Sequence, residues 1–233
     1  FGALQWQANE VGVDSASPIA YTRVAYTRFH GETLVQLVYT FWFPERPLTG
    51  PFDPLGGRLD GLMVRVTLDR DGAPLMVDSI HACGCYQLFF PSSRLSPRPS
   101  PAQDIEWAFV PKNLPVLREG ERIVLRVAAG THYLEDIGVA AEASGDSTYA
   151  LAGEQRLRSL PKLDGTFRSA FGPDGIIAGS ERGERFLFWP MGIASPGAMA
   201  RVVDVAAGQS ARLGVTNTIV SRMASIAAGP HSA

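Results

Sequence analysis

Residues 81–85 read His-Ala-Cys-Gly-Cys and bring a histidine together with the only two cysteines of the chain. Imidazole nitrogen and thiolate sulfur suit zinc or copper, whereas magnesium and calcium take oxygen ligands. In an extended strand, side chains at i, i+2 and i+4 share a face, so a regular strand puts His81, Cys83 and Cys85 on one side. Successive same-face residues stand about 6.6–7 Å apart, but ligands must converge to about 2.0–2.3 Å from an ion. The strand therefore has to bend, and Gly84 is where a bend or bulge costs least.

A fourth ligand must come from another element. His132 is the leading candidate, because it follows a strand at 121–128 and sits just past Gly130. Asp78 is a second candidate, as a ligand or as the acceptor for an imidazole N–H. Glu135 and Asp136 lie close enough in sequence to His132 to serve as ligand or general base. His30, in a turn, and His231, near the end of the chain, are less well placed. The expected site is thus His81, Cys83, Cys85 and His132 holding zinc or copper. An open coordination position would allow metal-assisted hydrolysis or redox chemistry, whereas four protein ligands would make the metal structural. Two other readings of the segment stay open. Neighbouring thiols beside an imidazole can form a redox-active pair, and small cysteines can simply fill a core.

Other patterns carry less. The sequence has no H-E-x-x-H, no phosphate-binding G-x-x-x-x-G-K-[ST] and no G-x-S-x-G. Gly179-Ser180-Glu181-Arg182-Gly183 spaces its glycines one residue too widely for a nucleophile elbow. Gly145-Asp146-Ser147 is too short to nominate a hydrolase. Asp69-Arg70-Asp71-Gly72 begins like a calcium loop but lacks its closing glutamate, and reads as a hairpin turn.

The elements that must carry these residues are strands. Alternating runs rich in β-branched and aromatic residues occur at 21–29, 33–43, 62–68 and 121–128, and a longer, partly irregular run at 74–90. Shorter strands are expected at 105–110 and 183–189, and 148–160 fits either strand or helix. Residues 44–57, with their prolines and glycines, and the Ser/Pro-rich 91–101 read as loops. Strands separated by Gly/Pro turns, without β-α alternation, predict a mainly β, antiparallel sandwich or barrel-like single domain over 1–190. Residues 191–233 are expected to form a C-terminal extension without Phe, Tyr or Trp, whose part at 197–228 suits one or two modest helices or a loosely packed tail. Tyr39, Phe41 and Phe43 share one strand face and Trp42 the other. An aromatic face is the inner side of a sandwich before it is a platform for a glycan or partner.

The formal net charge of -2 argues against a broad grip on nucleic acid, and no apolar run is long enough for a membrane-spanning helix. Only Lys112 and Lys162 are lysine, a bias of GC-rich genomes rather than of arginine chemistry. A metal-binding β-sandwich protein is the expected function. The competing class is a non-catalytic interaction or accessory-subunit module that uses its aromatic strand faces.

Overall fold

The computed structural model describes residues 1–84, 86–96, 108–141 and 147–183, together with the backbone of a strand at 223–228. The architecture is mainly β and antiparallel. The strands are β1 (Ala3–Gln7), β2 (Glu10–Asp14), β3 (Ile19–Phe29), β4 (Glu32–Arg46), β5 (Gly57–Leu68), β6 (Pro74–His81), β7 (Leu88–Pro91), β8 (Arg122–Val127), β9 (Leu134–Ala140), β10 (Ala150–Gly153), β11 (Leu160–Pro161), β12 (Phe167–Arg168) and β13 (Met223–Ala228). A 3-10 helix, Glu154–Arg158, follows β10.

A six-stranded sheet in the order β10-β3-β4-β5-β6-β7 forms the body, and β13-β8-β9 forms a second sheet. The large sheet is an open one, ending at β10 and β7, so no barrel is closed. Strands β3 and β4 are joined by a tight turn. Phe29 pairs with Glu32 across His30-Gly31, and both turn residues have positive φ, 50° and 82°. That is the turn whose twist matches two antiparallel strands.

Period-two alternation sends the two faces of β4 and β5 to different cores. Leu37, Tyr39, Phe41 and Phe43 join Leu62, Val64 and Val66 of β5, Val77 of β6 and Phe90 of β7. Ile123, Leu125, Val127, Leu134 and Ile137 of the smaller sheet cover them. This is sandwich packing, and it makes the aromatic face of β4 core. On the opposite side Trp42 packs with Leu4, Trp6 and Val11 of the β1–β2 hairpin and with Leu157 and Leu160. Gly61 is flat against that layer: a Cβ there would come within 2.9 Å of the Trp42 ring and 2.8 Å of the Ala82 Cβ.

Several expectations change. The run 74–90 is not one strand. Strand β6 stops at His81, because the Gly84 N–H donates to the His81 carbonyl (2.8 Å) and Gly84 takes φ 88°. Cys83 thus lies in a turn, where the period-two face rule no longer applies. Strand β4 continues through Pro44 to Arg46, into the expected loop. Residues 148–160 contain both a strand and a 3-10 turn. At 223–228, within the stretch read as helical, the backbone is a strand paired parallel to β8. The strand expected at 183–189 and most of that at 105–110 lie outside the described residues, as do Gly145-Asp146 and His231. No helix among the described residues is long and apolar enough to cross a membrane.

Candidate functional site

The inner face of the large sheet turns polar at one end. Cross-strand pairing puts Leu62 opposite both Phe41 and His81, and Phe43 opposite Asp60. Asp60 and His81 therefore sit diagonally on the face that holds Leu62 and Val64, within reach of one another. His132 arrives from the facing sheet. In the β8–β9 turn, the His132 N–H donates to the Ala128 carbonyl, and His132 itself has φ 55°. Its ring stacks on Phe43, with centroids 3.8 Å apart and planes 12° from parallel.

Asp60 is the hub. Its Oδ2 is 2.7 Å from His132 Nδ1, and its Oδ1 is 3.6 Å from His81 Nδ1. Arg182 donates through Nη2 to Asp60 Oδ1 at 3.3 Å and through Nη1 to the Arg58 carbonyl at 2.9 Å. All four side chains are buried. Burial pushes the Asp60 carboxyl up, but the hydrogen bonds and charge of His132 and His81 outweigh it and hold the group well below the usual carboxylate range. When the rings are neutral, an ionised carboxylate beside two Nδ1 atoms favours the tautomer that carries the proton there, which leaves each Nε2 as a lone pair. The Nε2 of His81 is buried and has no hydrogen-bond partner.

Tyrosines close the outer side. The rings of Tyr86 and Tyr133 lie 4.1 Å apart, and His81 meets both edge-on, at 5.8 and 5.4 Å. The Arg46 guanidinium covers Tyr133, 4.7 Å from the ring centre. Backbone strain concentrates here. Of the five non-glycine residues with positive φ among the described residues, Leu59, Tyr86 and His132 flank this centre, and Ala8 and His30 lie in hairpin turns elsewhere. Such strain persists only where surrounding structure over-determines it, and it gathers at functional sites.

The sequence candidates are distributed as follows. His81 and His132 meet across Asp60. Cys83 is disulfide-bonded, and a disulfide sulfur is not a thiolate ligand. Cys85, the other cysteine of the sequence, lies outside the described residues. Asp78 faces away from the histidines and is gripped by Arg65, whose Nε is 2.7 Å from Asp78 Oδ1. Glu135 pairs with Arg126 and Asp136 with Lys112, so neither reaches the centre. His30 packs edge-on against Phe29 in its turn. Among the described residues no group of three or more His, Cys, Asp or Glu side chains is arranged to hold a metal ion.

Sequence reasoning does not nominate Asp60 or Arg182. Asp60 carries a usable signal, since it has the parity of Leu62, Val64 and Val66 and so has to face the core. Arg182 carries none, being 122 residues from Asp60. The chain matches no protein-family model, no curated protein and no solved structure.

Proposed function

We propose that the polar end of the sandwich is a histidine-centred zinc or copper site. The observation that carries this reading is the buried, unpaired Nε2 of His81 on a ring whose other nitrogen faces a carboxylate. A ligating histidine usually has that second partner, which fixes its tautomer and raises its basicity. A buried nitrogen with no partner costs free energy unless something binds it.

In this reading His81 supplies Nε2, and Asp60 aligns both His81 and His132. Further ligands come from His132 and from Cys83, once reduction has released its sulfur as a thiolate, with Cys85 two residues on in sequence as another candidate. Metal loading is then coupled to the redox state of the turn. Zinc would supply a Lewis acid and copper a one-electron centre. The chain's own residues fix the imidazoles, neutralise Asp60 through Arg182, and shield the centre with Tyr86 and Tyr133.

The test is elemental analysis of purified protein, reduced and equilibrated with zinc or copper and then dialysed. Close to one ion per chain supports the reading; a metal-free protein after that treatment removes it.

A further inference from the structure

Arg46 is a buried cation that the His–Asp centre does not use. It closes β4, opposite Gly57, and is only 8 % exposed between the exposed residues Glu45 and Pro47. Its Nε is buried with no hydrogen-bond partner. No carboxylate among the described residues forms an ion pair with it. Asp60 is already engaged by Arg182 and His132, so these groups do not balance: one carboxylate faces two guanidinium groups. Tyr133 offsets part of the desolvation through its π face and a side-chain hydrogen bond. Nε is still left without an acceptor. Tyr86, 42 % exposed and packed on Tyr133, connects the cluster to solvent.

A buried guanidinium with an unused Nε–H is half of a planar fork whose natural complement is an oxyanion with two acceptor atoms. We propose that Arg46, backed by Tyr133, binds a small oxyanion, a carboxylate or a phosphoryl group, at this end of the sandwich. The ligand enters past Tyr86 and supplies the missing charge and acceptor. This inference does not depend on a metal at His81.

The experiment follows the melting temperature of the full chain, stripped of metal with EDTA, during titration with sodium phosphate and, separately, sodium acetate. Each titration is run against sodium chloride at matched ionic strength. The expected result is a saturable rise of several degrees with at least one oxyanion and none with chloride. A response to phosphate alone assigns a phosphoryl ligand, and a response to acetate assigns a carboxylate. Arg46→Gln should lose the rise and, free of its uncompensated charge, should melt no lower than the parent protein without anion. Arg46→Lys, which keeps the charge but lacks the Nε donor, should weaken it. Three results overturn the proposal: no saturable rise with either anion, an unchanged rise in Arg46→Gln, or an Arg46→Gln chain too unstable to fold. The last would make the guanidinium a structural group.

Discussion

The Nδ1 of His132 lies 2.7 Å from Oδ2 of Asp60, a contact that joins the two sheets of the sandwich across 72 residues of chain. The same carboxylate takes Arg182 and faces His81. One aspartate thus holds together strand β5, the end of β6, the β8–β9 turn and the segment around residue 182. The site and the joint between the layers are the same object.

Asp60→Asn tests that statement. The amide keeps the shape but removes the charge opposite Arg182, which is then buried without a counter-ion. Breaking a buried pair in this way costs about 3–5 kcal/mol. Urea denaturation should show a midpoint well below that of the parent protein with an unchanged slope. A loss below about 1 kcal/mol, the range of a surface pair, would contradict the role of Asp60 as a hub.

Gly61, beside Asp60, is predicted to be intolerant of any side chain. Alanine there meets the Trp42 ring and Ala82 at less than contact distance, and overpacking of this kind costs about 1–3 kcal/mol. The strain falls on the β5–β6 edge that aligns Asp60 with His81. Gly61→Ala should therefore lower the thermal midpoint, whereas Gly50→Ala should change it little. A Cβ at Gly50 would meet no atom within 4 Å, and its φ lies outside the left-handed region.

Tyr39 gives a pH signature. Its hydroxyl is buried without a hydrogen-bond partner, and burial, aided by neighbouring Tyr149, pushes its pKa up to about 12 from 10.0. A raised folded-state pKa leaves stability at its full value below the unfolded pKa. Stability is then lost as pH rises from about 10 towards about 12, because only the unfolded chain can ionise there. Two pKa units correspond to about 2.7 kcal/mol. Tyr39→Phe should equal or exceed the parent protein at about pH 8, since it removes an orphaned hydroxyl, and should lose less stability across the alkaline range. Denaturation curves at those pH values check both; parallel losses in the two proteins would contradict the assignment.

The readable parts of this fold are those in which side-chain type and burial agree. Strands β3, β4 and β5 carry β-branched and aromatic residues over long runs and form where expected; burial follows in β4 and β5, whereas β3 buries only Ala20 and Tyr21. The β1–β2 hairpin is hard to see in the sequence because only Leu4, Trp6, Val11 and Val13 mark it within two five-residue strands. In strand β9, Leu-Glu-Asp-Ile-Gly-Val-Ala, the two acids mask the alternation. Those acids point to surface partners while Leu134 and Ile137 fill the core. Around the site, Gly84 correctly signals a turn, but the turn is tight enough to end β6, so spacing along a strand does not describe Cys83. The long-range partners, Asp60 with His132 and with Arg182, depend on sheet register, which no local pattern encodes.

The most direct test of the central claim compares metal content in the parent protein and His81→Ala, each reduced, equilibrated with zinc or copper, dialysed and measured by mass spectrometry. Circular dichroism establishes that the variant is folded. The account predicts about one ion per parent chain and a value near zero in folded His81→Ala, with His30→Ala retaining the parent value. Equal metal content in the parent and folded His81→Ala, or none in either, would contradict it.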